Sequence, residues 1–283
     1  MKRKIEVVKT LLDALPYIKK FRNEKIVIKY GGSAQTSNNL KQKFAQDIVL
    51  LHTVGMKPII VHGGGKAITE LLSDLGVESQ FIDGQRVTTK EIMKIAEMVL
   101  SGTINKEIVS LLNANGTKAI GISGKDASFL EAIPKDFKSF GYTGVIQNVN
   151  PEIVDNILDD GFIPVIAPIA TGSKMGHPGF NINADLVASK IAVALKARKV
   201  LFLTDTKGVL DREMNLINTL DIKRTEELKR DGIINGGMIP KVDACIEALR
   251  GGVKKAHIID GRVEHSMLLE ILTSSGIGTC IEL

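Results

Sequence analysis

A chain of 283 residues, 44% hydrophobic and 24% charged, can bury a core large enough for one big α/β domain or two lobes. Its net charge of +5 is interleaved with acids, as in KRTEELKRD at 223–231, and only 4% of residues are aromatic, none of them tryptophan. That excludes a base-stacking nucleic-acid platform and suits anionic small molecules instead.

Membrane and secretory readings fall next. No stretch reaches the roughly 18–20 uninterrupted apolar residues of a membrane span, and the amino terminus lacks the compact apolar block and cleavage site of a secretory signal. Cys245 and Cys280 each sit in an apolar pattern and read as buried, reduced thiols of a cytoplasmic protein.

The first element is helical: Ile5, Val8, Leu12, Leu15 and Ile18 share one face of residues 5–21, and Pro16 is expected to kink or break the helix. This stripe precedes the first strand, so it docks on its own lobe or on another subunit. Runs rich in β-branched residues follow at 25–30, 57–62, 118–123, 162–169, 199–205, 255–260 and 278–283. Helical periods lie between them, at 40–55, 66–76, 89–102 and 184–197, several closed by glycine. This alternation predicts an α/β fold with a mainly parallel sheet. The loop-like stretch 170–181 marks a boundary between a lobe at 23–176 and a second at 177–283.

Five motifs carry the chemistry. Lys29-Tyr30-Gly31-Gly32-Ser33 ends the first strand, where glycines let backbone N–H groups approach an anion and a lysine adds an ammonium. VHGGGKAI, at 61–68, repeats the device at a helix amino terminus, whose dipole favours an anion. Neither the dinucleotide fingerprint nor a Walker A loop fits it. In GQRVTTKEIM, at 84–93, Arg86 can hold a carboxylate with two parallel hydrogen bonds. In FNINADLVASK, at 180–190, Asn181, Asn183 and Asp185 alternate before an apolar helix. A helix cap explains one of the three; the aspartate either holds neighbouring lysines or binds a metal. In NGGMIPKVDA, at 235–244, Lys241 stands near a helix amino terminus, a poor place for a cation without an anion nearby. Zinc- and serine-hydrolase motifs are absent, and His52 and His62, in apolar runs, read as core or supporting residues.

Taken in order, KYGGSA, VHGGGKAI, GQRVT, NINAD, TDTKGVL and GGMIPKV resemble the amino acid kinase family across about residues 5–283, and most closely its members that phosphorylate N-acetyl-L-glutamate in arginine biosynthesis. The resemblance implies a three-layer αβα sandwich, with the acceptor bound by the first lobe and ATP by the second. It implies Lys29 and Lys241 as phosphate-stabilising cations, Gly32 and Gly64 as amide donors, and Asp185 as organiser of the lysines. Gly64, Gly65, Arg86 and Asn181 would bind the acceptor. Thr204, Asp205, Gly208, Val209, Leu210, Gly237 and Met238 would line the nucleotide site. Mg²⁺ would ride on the phosphates, with no dedicated protein metal site. Residues 1–22 resemble a helix that joins dimers into a hexamer in arginine-inhibited members, and Glu270 and Gly276 fall where L-arginine would bind. Glutamate 5-kinase chemistry is the nearest alternative; carbamate, uridylate and aspartate kinases share the fold, and a silent arginine sensor is the reading outside enzymes.

Overall fold

The computed structural model describes residues 1–35, 37–172 and 176–283. Residues 173–175 of the expected loop, and the side chain of Ser33, lie outside the described residues. The chain opens with α1 (Lys2–Phe21), β1 (Lys25–Tyr30), α2 (Asn38–Thr53), β2 (Lys57–His62), α3 (Gly65–Asp74), β3 (Phe81–Ile82), β4 (Gln85–Arg86), α4 (Lys90–Glu97), α5 (Asn105–Ala114) and β5 (Ala119–Ser123). It continues through β6 (Leu130–Pro134), α6 (Phe137–Phe140), β7 (Gly144–Val149), α7 (Glu152–Asp159), β8 (Ile163–Ala167), β9 (Ile169–Ala170) and β10 (Phe180–Asn181). It closes with α8 (Ala184–Ala194), β11 (Lys199–Thr204), β12 (Thr219–Asp221), α9 (Ile222–Arg230), α10 (Met238–Arg250), β13 (Lys255–Asp260), α11 (Ser266–Leu272) and β14 (Thr279–Glu282).

Eight strands form one sheet in the order β12-β14-β13-β11-β1-β2-β8-β5. All neighbours are parallel except β13 and β14, which run antiparallel. The period-2 rule assigns the strand residues to two faces. Val27, Ile59, Val61, Val200 and Phe202 meet Val187, Ile191, Val242 and Cys245 of α8 and α10. Ile26, Ile28, Ile60, Leu201 and Leu203 meet Phe44, Ile48 and Leu51 of α2, with Leu112 and Ile271. The result is the expected αβα sandwich. Both cysteines are free thiols, and no helix among the described residues is long and apolar enough to cross a membrane.

Two local expectations need correction. Pro16 does not break α1, which runs unbroken from Lys2 to Phe21. A proline removes one N–H from a helix, and the carbonyl it frees belongs to Leu12, a residue exposed to water. The helix expected to stop at Gly102 does not stop either. A π turn over Met98–Ile104 carries α4 directly into α5, and Gly102 stays helical. As for docking, Ile5, Val8, Leu12 and Leu15 are exposed, while Phe21 and Tyr17 at the end of α1 pack with the α2 face of the core.

Candidate active site

The site grows from the sheet's topology. From β1 the chain moves to β2 on one side and later returns with β11 on the other, so the carboxyl end of β1 is a switch point, where α/β sheets bind ligands. Lys29 and the glycine turn emerge there. Gly32 adopts φ +70°, and a Cβ on it would lie 2.5 Å from Oδ1 of Asp205, so both conformation and space require glycine. The neighbouring glycine run is tied in by the Gly63 N–H, which donates to the Tyr30 carbonyl at 2.8 Å. Gly64 precedes the first turn of α3, beneath Leu100 and Ile104 of the π turn; a Cβ there would stand 2.6 and 2.4 Å from their methyls.

Asp185 enters from the opposite layer. Asn183 caps α8, its Oδ1 accepting from the N–H groups of Asp185 (2.8 Å) and Leu186 (3.3 Å). This cap fixes Asp185 in the first turn, with its carboxylate buried under β1. Lys241, in the first turn of α10, donates to Asp185 Oδ2 at 2.9 Å, and Lys29 Nζ lies 3.1 Å from Oδ1. Burial works against ionising Asp185, but the two ammonium groups outweigh it and hold the carboxyl below the usual carboxylate range. Oδ2 thus accepts a hydrogen bond from Lys241 while Oδ1 stands in ion contact with Lys29, the arrangement expected of an aspartate that holds neighbouring lysines.

Arg86 closes the far side from β4. Its guanidinium donates to the Gly65 carbonyl (2.9 Å) and to Thr69 Oγ1 (2.8 Å), and lies 4.7 Å from the Phe81 ring centre. Asn181, on β10, donates to Thr88 Oγ1 at 3.3 Å, and Thr88 shares a hydrogen bond with Thr143. Thr89 caps α4, its Oγ1 accepting from the Ile92 N–H at 3.2 Å.

Lys29, Gly32, Gly64, Gly65, Arg86, Asn181, Asp185 and Asp205 all line one cavity of about 750 Å³. Lys241 reaches this group through Asp185. Thr204, Gly208, Val209, Leu210, Gly237 and Met238 are not among its lining residues: Val209 is buried, its N–H donating to Thr279 Oγ1 at 2.8 Å, and Gly237 and Met238 form the start of α10. Glu270, on α11, and Gly276, in the loop after it, lie elsewhere. Glu270 is buried, in contact with His257 Nδ1 (2.6 Å), and accepts from the N–H groups of Ile277 and Gly278. The sequence reading missed Gln35, Lys41 and Glu107, which also line the cavity, and Asn105 behind it. Gln35 carried no signal, being one polar residue in a loop. Asn105 had one, an amide on a helical face otherwise turned toward the core.

The chain belongs to the amino acid kinase family, whose sequence pattern matches residues 24–260, and it is a phosphotransferase. Over its full length it is similar to acetylglutamate kinases. It is 77% identical over 283 residues to that of a Sulfurovum species, with all of both chains covered. To that of a Nitratiruptor species it is 68% identical over 279 residues, 99% of this chain and 98% of the relative. Among solved structures, N-acetylglutamate synthase from Neisseria gonorrhoeae complexed with coenzyme A and N-acetyl-glutamate superposes with a TM-score of 0.87 at 26% identity, covering 98% of this chain and 63% of that one. The same synthase complexed with coenzyme A and L-arginine gives 0.83 at 26% identity, covering 97% and 65%.

Proposed function

We propose that the protein transfers the γ-phosphoryl group of ATP to the γ-carboxylate of N-acetyl-L-glutamate, giving N-acetyl-L-glutamyl 5-phosphate for arginine biosynthesis. The observation that carries this reading is the meeting of Lys29 and Lys241 on one buried carboxylate at the sheet's switch point, with Arg86 across the same cavity. The relatives' name supplies the acceptor.

The chemistry follows from charge. A carboxylate nucleophile has a reference pKa of roughly 4 and is ionised at neutral pH, so no general base is needed. The barrier is repulsion between two anions and the charge that builds on the phosphoryl oxygens in flight. Lys29, Lys241 and the N–H groups of Gly32 and Gly64 meet that charge as preorganised donors. Arg86 takes the acceptor's α-carboxylate, with Gly64, Gly65 and Asn181 around the rest of it. Thr204, Asp205, Gly208, Val209, Leu210, Gly237 and Met238 receive the nucleotide on the side of the second lobe, 177–283, facing the acceptor lobe, 23–176. With Asp185 beside the lysines, Mg²⁺ would be held mainly by the phosphates and would supply positive charge there.

Arginine is proposed as a feedback inhibitor, bound near Glu270 and Gly276. Support comes from the buried group beside them: His257, with Nε2 lacking a hydrogen-bond partner, and Lys199, whose ammonium burial pushes down to about 8. Lys199 lies 4.7 Å from the Phe21 ring centre at the end of α1, which links this buried charged group to the helix with the exposed apolar stripe. That stripe is proposed to join dimers into a hexamer in the cytoplasm.

The test is hydroxamate formation with MgATP, hydroxylamine and a panel of acidic amino acids, free and N-acetylated. Signal with acetylglutamate alone is expected; signal with free glutamate selects glutamate 5-kinase chemistry. Lys29→Ala and Lys241→Ala are each expected to lower turnover by about 10²–10³, the loss of one preorganised donor, and near-normal turnover in either rejects its role.

A further inference from the structure

Phosphoryl transfer as proposed needs the Gly64 N–H held in one direction, and a run of bare glycines does not hold a direction by itself. The surroundings of the Gly63–Gly64 peptide supply the restraint. His62 is fully buried at the end of β2, with Nδ1 3.0 Å from the Gly63 carbonyl and Nε2 3.3 Å from the Asn105 amide nitrogen. Asn105 is fixed in orientation: Nδ2 donates to the Val165 carbonyl at 2.9 Å and Oδ1 accepts from Lys106 at 3.0 Å. It therefore presents only N–H to His62, so Nε2 accepts and Nδ1 carries the proton. Burial drives the imidazole pKa down to about 4, which keeps this single neutral tautomer at pH 7. Nδ1–H then donates to the Gly63 carbonyl, and the Gln35 amide donates to the same oxygen at 3.4 Å and to the Tyr30 carbonyl at 3.2 Å.

A trans peptide points its C=O and N–H in opposite directions. Drawing the Gly63 carbonyl toward His62 and Gln35 thus turns the Gly64 N–H away from both. The π turn serves this arrangement twice, laying Leu100 and Ile104 over Gly64 and delivering Asn105 to the strand ends. Gly121 leaves the room Asn105 needs, since a Cβ there would fall 1.8 Å from Asn105 Oδ1. We propose that His62, held by Asn105, and Gln35 are positioning residues that fix the Gly63–Gly64 peptide so that its N–H meets the transferred phosphoryl group. This rests on the phosphotransfer reading above.

The experiment compares two amides at position 62 in the full chain. His62→Asn restores a donor near the Nδ1 position, whereas His62→Gln places its amide near Nε2 and leaves the Gly63 carbonyl without one. Gln35→Met removes the second donor from a half-buried site that tolerates the change. His62→Gln and Gln35→Met are each expected to lower kcat about tenfold, the weight of one hydrogen bond, with both KM values within about twofold. Binding of MgADP with aluminium fluoride and acetylglutamate, a mimic of the phosphoryl group in flight, weakens by the same factor. His62→Asn stays within about threefold of the parent. A purely structural role would lower stability without this ranking, so equal kcat for the Asn and Gln variants overturns the proposal. If His62→Gln does not fold, Gln35→Met decides: a parental kcat overturns it, a tenfold loss upholds it. Lys29→Ala and Lys241→Ala run alongside, and parental turnover in those variants sinks the phosphotransfer reading itself rather than the positioning inference.

Discussion

Replacing Asp185 with asparagine keeps the shape of the side chain and removes the charge between Lys29 and Lys241. The two ion contacts measure 3.1 and 2.9 Å, and at an effective dielectric near 20 each is worth roughly 5 kcal/mol of attraction. Desolvation of three charged groups cancels much of that sum. The net cost follows better from truncations of buried pairs, which run at about 3–5 kcal/mol because they strand the partner. Side-chain exposures of 11% for Lys29 and 19% for Lys241 let water reach both ammonium groups, so the low end applies. Asp185→Asn is expected to lose about 3 kcal/mol in urea unfolding of the free protein. MgATP returns part of the loss, because its phosphates supply the missing anion, and kcat falls by about 10² or more as the lysines lose their alignment. The linkage has a definite sign. The folded-state pKa of Asp185 is depressed, so its contribution is present above the unfolded carboxylate pKa and fades as pH falls through the folded value. A variant within about 0.5 kcal/mol of the parent, with or without nucleotide, would refute the claim that this carboxylate holds the two cations together.

Gly121→Ala drives a methyl into Asn105, and about 2–3 kcal/mol of stability is expected to go, from overpacking and from the lost amide hydrogen bonds; an unchanged thermal midpoint would contradict it. His62 has a folded pKa of about 4 against 6.5 unfolded, so the unfolded chain binds more protons between those values and stability rises with pH across them, by about 3 kcal/mol. Asp47, raised by burial to about 6 from 3.8, acts oppositely over an overlapping range. The measurement is therefore the difference between parent and His62→Asn in urea midpoint at pH 4.5 and 7, and a pH-independent difference rejects the assignment. Deleting residues 1–20 removes the exposed Ile5, Val8, Leu12 and Leu15. Light scattering is expected to show dimers in place of hexamers, and inhibition by arginine to disappear; retention of both would end that reading.

The strands of the central sheet other than the edge strand β12 were legible because burial on both faces writes a continuous β-branched run. The expectations for 25–30, 57–62 and 255–260 coincide with β1, β2 and β13. Other strands were not. β3, β4 and β12 have only two or three residues, too few to show a period, and β6 and β7, five and six residues long, are half-exposed and form a separate two-stranded sheet. Helix ends misled where a glycine was taken as a stop. Gly55 and Gly76 do end helices, at positive φ, whereas Gly102 keeps helical dihedrals inside the π turn. A stop glycine and a glycine inside a helix look alike in sequence, and here the sign of φ tells them apart, since nothing presses on Gly102.

The candidate site shows the same division at the level of chemistry. Lys29, Gly32, Gly64 and Arg86 stood out because a cation or a bare backbone at the end of an apolar run breaks the local pattern. Residues 29 and 241 could be paired through resemblance, but no local rule says that two lysines about two hundred positions apart share one carboxylate. That requires β1 beside β11 and α8 packed against α10. His62 read only as a core or supporting residue, for the opposite reason. As an interior residue it matches its apolar surroundings, and its role comes from which nitrogen carries the proton, a property set by Asn105 across the sheet. Charge that must move toward a substrate has to interrupt a hydrophobic pattern and is visible there. Groups that only aim such charge can be buried, neutral and silent in sequence, and they are found by following each buried donor to its acceptor.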